Sequence, residues 1–305
     1  MKKNSIVVSV KSLSRKFGKN QALKNVSLTF QEGCVHGIVG ENGAGKSTLI
    51  KHMLGLYRAQ KGSVSVFGVD PVKEPAQVLG QIGYVSEEPE LPGWMTVSEY
   101  LNYMSAFYGD WDKQYQKKLV DLYELDLIKR TSQLSKGQRA RVALCAAQAH
   151  RPKLLLLDEP SSGLDPIVRR DILNVAMETV KEDGRTVIFS SHFLEEVESV
   201  SEQLIMIKKG DVFLSDSLIN ILESHHRFTL KLNGDESIIY DFPKGISIAK
   251  RQEGRLEVDC FLDLTTITAF FKRNQIEILE QKKMNLSEVF FSRSKGTSKP
   301  ARGYN

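Results

Sequence analysis

The 305-residue sequence predicts an α/β fold built around a phosphate-binding loop, and three observations carry that prediction. Gly40-Glu41-Asn42-Gly43-Ala44-Gly45-Lys46-Ser47-Thr48 matches the P-loop pattern G-x-x-x-x-G-K-[ST] directly after an apolar run. Leu154-Leu155-Leu156-Leu157 is a continuous apolar strand that ends in Asp158-Glu159-Pro160, at the end of a strand where α/β sheets place their ligands. Residues 186–190 form a further β-branched strand with Ser191-His192 at its carboxyl end.

Taken in order, residues 6–10 and 23–30 alternate apolar and polar side chains like half-exposed antiparallel strands. Between them lies Arg15-Lys16-Phe17-Gly18, where Phe17 could stack on a base or simply be core. Residues 35–39 read as a buried strand and 46–56 as a helix, which supplies the strand-loop-helix context that a P-loop requires. Glycines 40, 43 and 45 let the backbone curl so that successive N–H groups and the helix N-terminus point at one anion, a triphosphate. Lys46 then neutralises the β and γ phosphates, and Ser47 offers a hydroxyl to Mg²⁺.

Short strands follow at 62–66 and 82–85, after which the pattern turns helical, with Val97, Leu101 and Met104 on one face and Leu119, Leu122, Tyr123 and Leu125 on another. This is a helical insertion of about 88–150. Leu134-Ser135-Lys136-Gly137-Gln138 opens its last helix, where Ser135 and Gln138 have the form of a capping box, although the amides of a helix N-terminus would equally suit a phosphate. Ser162-Gly163-Leu164-Asp165-Pro166 is a turn before a helix of 167–181, and 203–208 with 211–214 form a hairpin through Lys209-Gly210. Beyond residue 223 the chain reads as a small α+β appendage of strands 228–232, 237–242, 255–260 and 275–279 and a helix of 265–272, without any constellation of chemistry. The organisation expected is therefore 1–222, 223–291 and a disordered basic tail of 292–305.

The net charge of +5 is spread through the sequence with much of its excess at the two ends, which favours solvated tails over a nucleic-acid groove. Cys34, Cys145 and Cys260 have no metal-ligand spacing and fit a reducing cytosol. The N-terminus lacks an apolar leader and no run approaches the roughly 18 apolar residues of a membrane helix, so a soluble protein is expected. There is no internal repeat and no N-K-x-D to specify guanine.

Over roughly residues 6–222 these motifs, in this order and spacing, resemble the nucleotide-binding subunit of an ABC transporter. The chain is similar in particular to bacterial exporter-type subunits encoded beside separate membrane-spanning subunits, in the branch with L-S-K-G in place of L-S-G-G. The resemblance implies a RecA-like P-loop NTPase core with an antiparallel β subdomain, and a head-to-tail dimer that sandwiches two ATP molecules. It implies that Phe17 stacks adenine, that Gly40, Glu41, Asn42, Gly43, Ala44, Gly45, Lys46, Ser47 and Thr48 hold the phosphates, and that Asp158 supports Mg²⁺ with Ser47. Glu159 would polarise the attacking water, and His192 would hold the γ-phosphate. Ser135, Lys136, Gly137 and Gln138 would complete the site from the opposite subunit, with Asp165 at the interface.

Partners implied are separate transmembrane permease subunits and a second ATP-binding subunit, at the inner face of the cell membrane and without nucleic acid. Two positions depart from the family. Ser86-Glu87 stands where Gln is usual, which makes Glu87 a further oxygen ligand candidate for Mg²⁺. Lys136 replaces a Gly and is either a cation facing the γ-phosphate in trans or a solvated helix-start residue. The loop 87–94 is expected to dock the permease through Leu91, Trp94 and Met95 at a surface, the alternative being that these residues pack under the helical insertion. The rival classes are a soluble ABC-type ATPase acting on nucleic acid or ribosomes, and a regulatory subunit that hydrolyses ATP poorly.

Overall fold

The computed structural model describes residues 5–165, 168–170, 173–174, 177, 184–232, 242–252 and 254–295. It divides into two compact units, Met1–Ser215 and Asp216–Asn305, parting earlier than the change of composition at 222 implies.

In the first unit, β1 (Ile6–Phe17), β2 (Asn20–Gln31) and β4 (Lys61–Val66) form an antiparallel sheet in the order β2-β1-β4. The strands are longer than their alternation predicts because bulges absorb the breaks in pattern, with Ser12 and Asn25 both at φ 49°. The second sheet has six strands in the order β5-β6-β7-β3-β8-β9, namely β3 (Val35–Val39), β5 (Ile82–Val85), β6 (Leu154–Asp158), β7 (Thr186–Ser191), β8 (Gln203–Lys208) and β9 (Asp211–Ser217). Strands β5, β6, β7, β3 and β8 pair in parallel, and every residue of β3, β6 and β7 is buried, as sheets covered on both faces require. Lys209 and Gly210, both at positive φ, turn β8 into β9. One core joins the two sheets through α1 (Lys46–Met53), in which Leu49, Ile50 and Met53 are fully buried.

The insertion contains α3 (Val97–Ser105), α4 (Lys113–Leu122) and α5 (Lys136–Gln148), after the short α2 (Pro75–Leu79). Val97 and Leu101 are buried as their spacing predicts, but Leu122 is exposed. Helix α4 ends there, and Tyr123 takes the inward position instead, its hydroxyl accepting a hydrogen bond from Gln148 Nε2. Helix α5 lies so close to β5 that a Cβ at Gly83 would stand 2.1 Å from the Ala147 carbonyl oxygen. In the helix expected at 167–181, the described residues 168–170, 173–174 and 177 are helical and the others lie outside the description. Helix α6 (Leu194–Val200) follows β7.

The second unit begins with α7 (Leu218–Ser224) and carries an antiparallel sheet in the order β11-β12-β10-β13, from β10 (His226–Lys231), β11 (Ile246–Gln252), β12 (Arg255–Cys260) and β13 (Ile278–Lys283). Ile267 and Phe271 of α8 (Leu264–Arg273) pack on Phe228, Leu230, Leu256 and Val258. The last strand starts later than its composition predicts because Gln275, at φ 54°, turns the chain out of α8. The strand expected at 237–242 falls almost wholly outside the described residues. Residues 292–295 correct the expected tail, since they are the last turn of α9 (Leu286–Lys295); residues 296–305 lie outside the description. No described helix is long and apolar enough to cross a membrane.

Candidate functional site

Strand order brings the motifs together. β3 pairs with β7 and β7 with β6, with Val39 opposite Ser191 and Asp158 opposite Ser190. The residues that follow these strands, the P-loop, Glu159 and His192, therefore leave one sheet edge side by side at interstrand spacings of about 5 Å. The P-loop and Glu159 open on a cleft of ≈ 410 Å³ lined by Phe17, Asn20, Ala22, residues 42–48, Glu87 and Glu159, while Gly40, Glu41, Asp158 and His192 stand outside its lining.

The three glycines of the loop do two different jobs. Gly43 and Gly45 stand at φ 77° and 115°, where other residues are strained, whereas Gly40 is needed because a Cβ there would lie 2.2 Å from the Ile207 carbonyl oxygen. Gly45 is also the N-cap of α1, so no side chain caps this helix and no acid occupies its first turn. Its leading N–H groups remain available to an anion. Lys46 is 3 % exposed, and its Nζ donates to the carbonyls of Gly40 at 2.6 Å and Glu41 at 3.1 Å. The same Nζ stands 2.9 Å from Glu159 Oε1, while His192 Nδ1 stands 2.5 Å from Glu159 Oε2. Glu159 is thus held between a lysine and a histidine, on a backbone at φ 49° that a non-glycine residue keeps only when its surroundings enforce it. Its N–H reaches Ser190 Oγ at 3.1 Å.

Asp158 accepts hydrogen bonds from Ser47 Oγ at 3.0 Å and Ser190 Oγ at 2.8 Å. Burial raises its pKa above the ordinary carboxylate value, and these two hydroxyls oppose the shift. Glu87 lies at the cleft, its Oε1 accepting from Ser162 Oγ at 2.9 Å. Phe17 lies edge-on to Tyr57, with the Arg15 guanidinium 4.7 Å from its ring centroid and 4.9 Å from that of Tyr57.

The signature residues do not line this cleft. Ser135 and Gln138 cap each other at the start of α5, with Gln138 N donating to Ser135 Oγ at 3.2 Å and Ser135 N to Gln138 Oε1 at 3.1 Å. Lys136 reaches across Gly163, its Nζ 4.0 Å from Glu88 Oε1. Asp165 Oδ1 accepts from Val168 N at 3.0 Å. Along the loop 87–94, Trp94 is 70 % exposed and Leu91 half-buried. Met95 overturns the surface reading in favour of its alternative: it is buried, its backbone tied to Pro92 and Thr131.

Sequence reasoning missed Ser190, which holds both acids, and also Ser161, Ser191, Arg169 and Glu196 behind them. The available signal was a serine pair beside each motif, Ser161-Ser162 after the acids and Ser190-Ser191 before His192.

The sequence profile of the ABC transporter family matches residues 23–162. The ABC transporter ATP-binding protein NatA of Bacillus subtilis (strain 168) is 35% identical over 228 residues, 72% of this chain and 92% of its own. An uncharacterized ABC transporter ATP-binding protein of the same organism, YdbJ, is 29% identical over 255 residues, 83% of each chain. Among solved structures, an ATP-binding subunit of an ABC transporter superimposes with a TM-score of 0.64 at 28% identity, over 70% of this chain and 91% of its own. The dimeric ATP-binding cassette MJ0796, in a post-hydrolysis state with ADP and Pi, gives 0.62 at 28% identity over 69% and 98%. CbiO1 from Clostridium perfringens, part of the transporter complex cbiONQ, gives 0.62 at 26% over 70% and 89%.

Proposed function

The chain belongs to the ABC transporter ATP-binding proteins, ATP-hydrolysing subunits on a P-loop NTPase fold, and from that premise we propose that it energises an exporter by ATP-driven closure of a dimer. The observation that carries the reading is the chain of contacts Lys46–Glu159–His192, whose first two members line the P-loop cleft. Because this Lys46–Glu159 pair lines a cleft at an uncapped helix N-terminus, a phosphate there can take the carboxylate's place on the lysine. The γ-phosphate draws Lys46 away from Glu159 Oε1. The freed oxygen takes a proton from the water as that water's oxygen bonds to the γ-phosphorus and the bond to the bridging oxygen breaks, releasing ADP. This general-base role is worth ~10²–10⁴ in rate. His192 keeps the other oxygen and orients the carboxylate. Adenine stacks on Phe17, whose ring is held by Tyr57 and Arg15.

The donor set fits Mg²⁺. Ser47 and Asp158 offer hard oxygens, and among the described residues no group of three or more His, Cys, Asp or Glu side chains makes a cage of its own. An ion shared with substrate phosphates needs no such cage. Ser47 and Asp158 would hold it, with Glu87 beside them, and when bound it offsets the charge of the phosphates.

The second half of each site comes from the partner subunit's signature helix, where the amides of Lys136 and Gly137 remain beyond the Ser135–Gln138 cap. Permease subunits supplied separately dock on the loop 87–94. Beside it lies an apolar groove of ≈ 330 Å³ that includes Leu54, Leu79, Tyr84, Leu91, Tyr100 and Met104. That contact keeps the chain at the inner face of the membrane.

Glu159→Gln tests the reading, because the amide is nearly isosteric yet cannot take the proton. ATP affinity should stay within about threefold while turnover falls ~10²–10⁴-fold, and with ATP and Mg²⁺ the variant should elute as a dimer. Persisting hydrolysis by a monomer would refute both the assignment and the sandwich.

A further inference from the structure

We propose that Glu196 is a positioning residue for hydrolysis, closing a ring of contacts that holds Glu159 and His192 at one spacing and ties them to the 161–165 turn. This rests on the roles given above to Glu159 and His192. Glu196 lies in the first turn of α6 and is 7 % exposed. Ser161 Oγ stands 2.9 Å from each of its carboxylate oxygens, and Ser191 Oγ 2.5 Å from Oε2. Ser161 is two residues beyond Glu159, Ser191 is one residue before His192, and His192 meets Glu159 directly. The path therefore returns to its start: Glu159, Ser161, Glu196, Ser191, His192.

The chemistry of the donors suits this closure. Each serine has one proton to give, and an ionised carboxylate is an acceptor with room for both. Ser191 Oγ still accepts from Phe193 N at 3.0 Å, which fixes the residue after His192 as well. Arg169 extends the ring to the turn that carries Asp165. Its Nε stands 3.2 Å from Glu196 Oε1 as an ion pair whose N–H is not aimed at the oxygen, and its Nη2 donates to the Leu164 carbonyl at 3.1 Å. Its guanidinium also lies 4.0 Å from the Phe193 ring centroid. Moving the turn thus moves both flanks of His192. None of these four residues lines the nucleotide cleft, so the ring acts on the geometry of the Glu159–His192 pair and not on ATP affinity.

The test uses the full chain with Glu196→Gln, and separately with Ser161→Ala and Ser191→Ala combined, which cuts the ring but leaves the Arg169–Glu196 ion pair. In both, kcat for ATP should fall about 10- to 100-fold, as sub-ångström misplacement does, with KM and equilibrium ATP affinity within about twofold. In protein with ¹³C-labelled histidine, the His192 signal, assigned by its loss in His192→Ala, should change its chemical shift at fixed pH while those of His36, His52 and His150 stay. Wild-type kcat, or a lower kcat with the His192 signal unmoved and a lower melting temperature, would overturn the proposal in favour of a purely structural ion pair. Glu159→Gln and His192→Ala run in parallel separate the two levels. If both keep wild-type turnover, the underlying reading fails along with the inference; if they lose it while Glu196→Gln does not, the inference alone fails.

Discussion

The two compact units bury charge in opposite ways. In Met1–Ser215, Lys46 and Glu159 meet at the lining of a cleft, and in the function proposed above a phosphate and a water replace their contact. In Asp216–Asn305, Arg227 and Asp259 face each other in register on β10 and β12, joined by hydrogen bonds of 2.6 and 3.1 Å. That bond raises the Arg227 pKa above its ordinary value, and Glu288 continues the network to Lys282 at 2.9 Å. Such a bidentate pair is satisfied by its own partners and leaves little for a ligand to exchange. Burial of charge therefore marks a reactive site where its partners are exchangeable and front a cavity, and marks a structural staple where they are closed on themselves.

The largest effect expected is on the exchangeable side. Lys46→Ala should abolish ATP binding, since it removes the cation of the phosphate cradle while leaving the core intact. Titration with a fluorescent ATP analogue checks this, and unchanged affinity in a folded variant would erase the contrast between the units. Breaking the staple should do the reverse. Asp259→Asn is expected to destabilise the second unit by about 1.5–3 kcal/mol, the range for hydrogen bonds to a charged group, because Arg227 is half-buried and Glu288 still faces it. Basal ATP turnover should stay at the wild-type value, and a parallel loss of turnover would show that the staple serves the site.

Acid acts on both units, through His225 in the second and most strongly through His150 in the first. His150, stacked on Tyr108 at 3.8 Å and 4 % exposed, has its pKa lowered by burial from 6.5 to about 4. Between those values the unfolded chain binds more protons than the folded one, so this contribution is complete above the ordinary imidazole value and is lost as pH falls through about 4. The loss is at most about 3 kcal/mol, and it belongs to the first unit. Calorimetry should show the transition that ATP raises moving down between these pH values, and His150→Phe should weaken that dependence, leaving the part due to His36 and His52, whose pKa values burial also lowers. The smallest effect is at the surface. Trp94→Ala should reduce co-purification with a permease by several-fold with basal turnover unchanged, because the side chain is exposed and lies outside the cleft. Wild-type yield of the complex would remove the loop from the docking surface.

Much of this was legible before any fold was known, and the reason is local. A P-loop, an acid pair after four leucines and a histidine after a β-branched strand each encode a strand end and its loop within a few consecutive residues. Periodicity likewise gave the insertion its buried positions at Val97 and Leu101, but it misjudged Leu122, where the helix stops and a hydrogen bond turns Tyr123 inward. The second unit was less legible. Strand β13 is exposed along its whole length and carries no alternating pattern, so its start was read three residues early, and α7 and α9 were not anticipated. What the tertiary structure alone decided is who meets whom. The order β6-β7-β3 sets Asp158 against Ser47, Glu159 against both Lys46 and His192, and Glu196 against serines from two different loops. Sequence specifies side chains and local backbone, whereas the pairing of parallel strands separated by crossovers is set by the shared core, which no window of consecutive residues contains.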